Sequence, residues 1–131
     1  MASKGRKVEY YGPASRKLDS IWRYTHENHG HEAANTYVTD LMKGIEKHGA
    51  TGKHRAVPKS KTARIDEEIY FFQWRQKPST PPHVVFYRVF PDGAIGVIEI
   101  AGPGQDTYNR LRNALEEVPP KEKTGAHKKK R

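Results

Sequence analysis

The chain has 131 residues, no cysteine and a formal net charge of +9. Its length suits one domain with a single core and is too short for two domains of ordinary size, and the lack of cysteine excludes disulfides and thiolate metal sites. No apolar run is long enough to span a membrane and the first residues lack the apolar centre of a signal peptide, so we expect a cytoplasmic protein without membrane contact.

The positive charge is concentrated at the two ends and in one internal segment. Residues 1–7 supply +3 and residues 121–131 supply +5, whereas the chain between them is almost neutral. Inside that body, residues 47–64 contain basic residues and no acidic one. We expect basic flexible tails at 1–7 and 119–131 around a domain at 8–118. The polarised charge favours a polyanionic partner, although basic tails can also serve only solubility.

The first half of the chain has the pattern of two amphipathic helices after a short strand. "KVEYY" has the composition of an edge strand. Apolar residues then recur at helical spacing over about residues 14–27, directly after Pro13, which suits a first helical turn. The pattern resumes over 34–45, and Gly49 stands where a helix-ending glycine is expected. The short polar link at Gly30 predicts that the two helices form an antiparallel hairpin.

The second half has the pattern of three strands and one helix. "EIYFFQWR", "HVVFYRVF" and "AIGVIEI" are rich in aromatic and β-branched residues and are separated by turn sequences. Short links predict an antiparallel meander, and the helical hairpin is the available cover for its apolar face. After "GPG", Asp106 offers a helix cap, and Leu111 and Leu115 lie on one stripe. The expected class is α+β: a helical hairpin packed on a small antiparallel meander, followed by a short C-terminal helix.

Two stretches resemble ligand motifs only superficially. "HENHGHE" contains three histidines, but the zincin motif requires a spacing of four on one helical face, and here a glycine interrupts a spacing of three. "AGPGQDT" has glycines but lacks the Lys-Ser/Thr pair of a phosphate-binding loop. There is also no Ser-His-Asp or Cys-His arrangement. We therefore expect no metal site and no cofactor.

The basic segment at 47–64 is the first candidate binding site. It has no periodicity, contains Gly, Pro, Ser and Thr, and is expected to be an exposed connection. Cationic side chains in such a segment suit contacts with nucleic-acid phosphates, although a charged loop can also be a solvated surface. The candidate nucleic-acid-binding residues are Lys53, Arg55, Lys59, Lys61 and Arg64.

Strand alternation indicates a second candidate site on the sheet. Arg75 and Arg88 fall on the parity that points away from the helical hairpin, where arginines beside aromatic rings suit phosphate and base contacts. If the protein cleaves RNA, these two arginines would hold the scissile phosphate while Tyr108 or His83 handles a proton. In the competing interpretation, Arg88 only covers neighbouring phenylalanines and Arg75 pairs with an acidic residue such as Glu99.

The hairpin "ASRKLDSIWRYTHENHGHEAANTYVTDLMKGIEKH" and the strands "HVVFYRVFPDGAIGVIEIAGPGQD" resemble the RelE/ParE superfamily of type II toxin–antitoxin toxins. The resemblance covers roughly residues 8–115 and includes Leu18, Trp22, Gly30 and Tyr37. It implies a small α+β toxin that arrests bacterial growth until a partner antitoxin wraps it. ParE-like members inhibit DNA gyrase, whereas RelE-like members cut messenger RNA in the ribosomal A site without a metal.

The hairpin with its "IWRY" step resembles the ParE-like branch more closely. Phe71 and Gln73 stand where RelE-like toxins carry paired lysines, and Pro103 stands where a basic catalytic residue is expected. Lys17, in place of an aspartate, departs from the ParE-like pattern. We expect a gyrase inhibitor with a cognate acidic antitoxin; the alternatives are a ribosome-dependent mRNA endoribonuclease and a nontoxic nucleic-acid-binding protein on the same fold.

Overall fold

The computed structural model of the chain describes residues 7–62 and 67–120. The expected order of a helical hairpin, a meander and a C-terminal helix is confirmed. Of the expected tails at 1–7 and 119–131, residues 1–6 and 121–131 fall outside the described residues, as does Arg64. In chain order the elements are β1 (Val8–Tyr10), α1 (Gly12–His29), α2 (His31–Thr51), β2 (Arg55–Ala56), a 3₁₀ turn (Lys59–Lys61), β3 (Tyr70–Trp74), β4 (His83–Val89), β5 (Ile95–Ala101) and α3 (Thr107–Glu117).

The described strands form one sheet in the order β1-β5-β4-β3-β2. β3, β4 and β5 make the expected antiparallel meander. The edge strand β1 pairs parallel with β5. At the opposite edge β2 pairs with β3, so that Arg55 lies opposite Phe71 and Ala56 opposite Tyr70. The basic segment is exposed over most of its described length, as expected, but residues 47–51 belong to α2 and Arg55–Ala56 form β2. A two-residue strand is too short to leave a period in the sequence.

The helical hairpin turns at Gly30, whose φ of 96° favours glycine. α2 continues beyond its expected end at Gly49 and is capped by Gly52, which has a φ of 72°. Gly49 is buried inside the helix, and a Cβ there would lie 3.0 Å from the Cδ1 atom of Ile95. This glycine thus lets α2 approach β5 closely and does not end the helix.

Both faces of the sheet are covered. The helical hairpin packs on one face, and the buried residues there include Leu18, Leu41, Ile45, Tyr87 and Val97. α3 packs on the other face, where the buried residues include Phe86, Ile98, Leu111, Leu115 and Val118. The expectation of an open second face is wrong. α3 begins only a few residues after β5 and has an apolar stripe, which it buries by folding back over the sheet.

Candidate functional site

Arg88 lies in a buried ion pair and does not face solvent. Its Nε atom is 2.7 Å from Oε2 of Glu67, and the two side chains are 3% and 4% exposed. The guanidinium also donates to the Tyr11 hydroxyl at 3.2 Å and to the Pro119 carbonyl at 2.9 Å. The expectation that Arg88 is an exposed partner of Arg75 is wrong, because segments distant in the chain close over this part of the sheet. A guanidinium with these partners is not accessible to a phosphate.

Arg75 is exposed directly after β3, where its guanidinium donates to the Pro78 carbonyl at 3.2 Å. Trp74 pairs with His83 at one end of the β3–β4 ladder, whereas Arg88 lies five residues further along β4. At about 3.3 Å per residue, the two arginines are separated by on the order of 20 Å along the strands. They cannot hold one phosphate together. Nor does Arg75 pair with Glu99, the acid suggested by the sequence.

Tyr108 lies in the first turn of α3, beside the basic segment. Its ring packs near Phe86, with 6.3 Å between centroids, and the Nζ atom of Lys61 lies 5.4 Å from the centre of the Tyr108 ring. Arg112, one turn later, donates to the Lys61 carbonyl at 3.4 Å. These contacts hold the 3₁₀ turn against α3. Tyr108 therefore belongs with the basic segment and not with Arg75 or Arg88.

The basic segment contributes a cationic strip along the sheet edge and α3. Arg55 lies over the Phe71 ring at 5.4 Å, and Lys59 forms an ion pair with Glu68 at 3.6 Å. All the described lysine and arginine side chains of the basic segment are exposed. We call this surface the cationic edge; its members are Lys53, Arg55, Lys59, Lys61 and Arg112. Sequence analysis identified the first four, but not Arg112, which the fold of α3 brings beside Lys61.

His83 lies on the hairpin side of β4, in a different environment from the other three candidate catalytic residues. It is 7% exposed, and its Nδ1 atom lies 3.5 Å from the Tyr37 hydroxyl. It borders a groove of about 1280 Å³ between the helical hairpin and the loops at 76–81 and 102–105. We call this the hairpin groove; the lining residues used below are Lys17, Tyr24, Glu32, Tyr37, Lys77 and His83.

Lys17 is the residue of this region that sequence analysis missed as a site. Its Nζ atom donates to Oε1 of Gln105 at 2.9 Å, and it lines both the hairpin groove and a cleft of about 500 Å³ between α1 and α3. Burial and the nearby Arg110 lower the pKa of Lys17. The available signal was its position, since a lysine three residues after Ala14 and four before Ile21 lies beside the buried stripe of α1.

Two titratable groups near Lys17, His83 and Glu99, also have shifted pKa values. Burial, followed by the charge of Lys17, lowers the pKa of His83. In the neighbouring cleft, burial raises the pKa of Glu99, which forms an ion pair with Arg110 at 3.5 Å. Clefts that hold titratable groups with perturbed pKa values are candidate functional sites, although structural ion pairs produce the same effect.

The lowered pKa of His83 predicts how stability changes with pH. The folded protein keeps this ring neutral, whereas the unfolded chain takes up a proton near the ordinary pKa of about 6.5. Stability is therefore complete above that pH and is lost as the pH falls towards the depressed folded pKa. His48, whose pKa is lowered by burial and by His54, acts in the same direction.

Urea unfolding measured between about pH 7.5 and pH 5 tests this expectation. The free energy of unfolding should decrease towards the acidic end, and His83→Gln should reduce the slope. The raised pKa of Glu99 acts in the opposite direction, so the decisive comparison is wild type against His83→Gln, and an equal slope in the two proteins would contradict the prediction.

The described residues offer no metal centre at the hairpin tip. The His26 ring stacks on Trp22 with 4.9 Å between centroids, and His31 packs edge-on against the same indole. Across residues 7–62 and 67–120, no group of three or more histidine, aspartate or glutamate side chains is arranged to hold a metal ion. In that same part of the chain, no helix has both the length and the apolar character needed to cross a bilayer.

Comparison with known proteins gives structural similarity but no family match. No protein-family model and no curated protein matches the chain. Among solved structures, it is similar to a chain of the "Chromosomal ParDE TA system from P. aeruginosa", with a TM-score of 0.53 and 18% identity. The alignment covers 77% of this chain and 99% of the other. At this identity the similarity shows a shared fold, and it confirms the fold that the sequence resemblance implies.

Proposed function

We propose that the chain is the toxin of a type II toxin–antitoxin system and that it arrests growth by inhibiting DNA gyrase, as ParE-like toxins do. The observation that carries the proposal is the shared fold with a chain of the P. aeruginosa ParDE system over 99% of that chain. The sequence resemblance of the helical hairpin to the ParE-like branch points to the same class. Fold alone does not fix function, so the target has to be argued from the residues.

The arrangement of the candidate residues favours gyrase over messenger RNA as the target. In-line cleavage of RNA requires charge stabilisation at the phosphate and a proton donor at the same place. Arg88 is held in a buried ion pair, and Arg75 lies at the other end of the strand pair. Ribosome-dependent RNA cleavage is the second candidate because His83 and Lys17 line one groove, and these two groups suit proton transfer and phosphate contact.

The partner that fits the charge distribution is an acidic antitoxin. The cationic edge is exposed and includes residues of β2, of the 3₁₀ turn and of α3. An acidic, partly disordered segment would wrap the helical hairpin and the basic segment and fold as it binds. Because ionic contacts contribute, the affinity of this complex should decrease as salt is added.

Induced expression in a bacterial host tests the proposal directly. We expect growth arrest with double-strand DNA breaks and a DNA-damage response, and we expect co-expression of the product of the small neighbouring reading frame to restore growth. Arrest with immediate loss of protein synthesis and cleaved messenger would favour the ribonuclease instead. Unimpaired growth at confirmed levels of folded protein would refute the toxin proposal.

The cationic edge should control antitoxin affinity. We expect the double charge reversal Arg55→Glu with Lys61→Glu to weaken binding of the antitoxin by about 10- to 100-fold, mostly through slower association. The control is Lys7→Glu with Arg75→Glu, which makes the same charge change at exposed positions outside the helical hairpin and the basic segment. Surface plasmon resonance at two salt concentrations measures both. An equal loss of antitoxin affinity in the two variants would show that affinity depends on the net charge of the protein and not on the cationic edge.

A further inference from the structure

The hairpin groove combines an exposed aromatic ring with cationic side chains at its border. We propose that it binds single-stranded nucleic acid, with Tyr24 as the stacking surface for a base and Lys17 and Lys77 as contacts for the flanking phosphates. The proposal goes beyond gyrase inhibition and antitoxin binding, and none of the residues involved belongs to the cationic edge.

Tyr24 provides the exposed aromatic surface of the groove. It is 66% exposed and is the one large hydrophobic side chain classed as exposed within residues 7–62 and 67–120. It projects from α1 beside the groove. A sequence-tolerant nucleic-acid site needs this kind of free ring, because stacking of one base on one aromatic side chain contributes about 1–3 kcal/mol.

Part of the groove is lined by an aromatic ring that packs against its neighbours. The Tyr37 ring packs edge-on against Trp74 with 5.4 Å between centroids and also contacts His83. These rings are fixed by their neighbours, so a base that enters the groove meets a wall that is already formed. The volume of about 1280 Å³ exceeds the roughly 300–1,000 Å³ of pockets for single small ligands, and it leaves room for more than one nucleotide.

The charges of the groove suit a phosphodiester backbone. Lys17 and Lys77 are positive and Glu32 is the one acidic lining residue, so the formal charge of the lining is +1 with histidines neutral. The Nζ atom of Lys17 is held by Gln105 at 2.9 Å and keeps donors available for an anion. Such an arrangement contacts one or two phosphates, as a short single strand requires.

His83 adds a polar group of the right kind. Burial and the charge of Lys17 lower its pKa, which favours the neutral ring at physiological pH. Because Nδ1 lies against the Tyr37 hydroxyl, Nε2 is the nitrogen that could exchange one hydrogen bond with the edge of a base.

Fluorescence anisotropy with labelled single-stranded hexanucleotides of RNA and of DNA tests the proposal on the full chain at about 0.1 M salt. We expect Tyr24→Ser to raise the dissociation constant by about 5- to 100-fold and Tyr24→Phe to leave it almost unchanged. Lys77→Ala should lower the slope of log affinity against log salt by about 0.7, as loss of one phosphate contact predicts. Lys43→Ala, at an exposed position outside the groove, is the matched control and should behave as wild type.

Several outcomes would overturn the proposal. If neither oligonucleotide binds, or if Tyr24→Ser binds as wild type while Arg55→Glu with Lys61→Glu abolishes binding, the groove is not the site. If Tyr24→Ser weakens only the complex with the antitoxin, the groove is a protein-docking surface. Preference for RNA or for DNA supports the site and identifies the ligand. Growth arrest is not measured here, so failure of the toxin proposal is distinguishable from failure of this one.

Discussion

Arg88→Ala should lower the free energy of unfolding by about 3–5 kcal/mol, because it removes the buried guanidinium that pairs with the carboxylate of Glu67. The ion pair is almost fully shielded from water, with side-chain exposures of 3% and 4%. The same guanidinium also holds the Tyr11 hydroxyl and the Pro119 carbonyl. Loss of this side chain therefore also removes one hydrogen bond to the chain before α1 and one to the chain after α3.

Urea unfolding followed by circular dichroism measures this effect. Arg16→Ala is the matched control, since Arg16 pairs with Glu117 at 2.7 Å but the two side chains are 63% and 52% exposed. An exposed pair contributes little to stability, so this variant should unfold almost as wild type. If Arg88→Ala is no more destabilised than Arg16→Ala, the pair with Glu67 is not buried in solution.

The double variant Arg88→Met with Glu67→Met separates loss of the ion pair from loss of packing. Replacing both buried charges with apolar side chains removes the buried carboxylate as well, and such replacements are often close to neutral. We expect the double variant to be more stable than Arg88→Met alone. Growth arrest by this variant would also show that Arg88 acts through the fold and not by contacting a target.

Helices and strands with a regular spacing of apolar residues were predictable from the sequence. Features that depend on close contact between elements distant in the chain were not. α1 and α3 follow apolar stripes, and Asp106 caps α3 by accepting from the Asn109 amide, as its position indicates. Gly49 carries no local signal that separates a helix-ending glycine from one that admits Ile95. That distinction depends on β5, which lies 46 residues further along the chain.

The candidate site shows the same division. Strand alternation correctly assigns Arg88 to the face away from the helical hairpin. Alternation predicts which face of the sheet a side chain lies on, but not whether that side chain is exposed to solvent. Arg88 is buried by Glu67 and Pro119, which lie 21 and 31 residues away in the chain. Lys17 was visible in the sequence as a departure from a family pattern and as a lysine beside the buried stripe of α1. Its partner Gln105 is 88 residues distant, and no spacing rule connects them.

Leu111→Ala should lower the free energy of unfolding by about 2–5 kcal/mol, because it creates a cavity on the sheet face that the sequence predicted to be open. Leu111 is fully buried and packs in one cluster with Phe86 and Ile98. The reference variant is Leu41→Ala, which removes an equally buried leucine of α2 from the core between the helical hairpin and the sheet. If both faces of the sheet carry a packed core, the two variants should lose similar stability.

Asn113→Ala, at an exposed position two residues further along α3, controls for changes in helix propensity and should cost within about 0.5 kcal/mol. Thermal and urea unfolding of the three variants give the comparison. A loss for Leu111→Ala as small as that for Asn113→Ala, with Leu41→Ala strongly destabilised, would mean that α3 detaches in solution. The second face, with Phe86 and Ile98, would then be open to a partner, and the cationic edge would lose the support that Arg112 gives to Lys61.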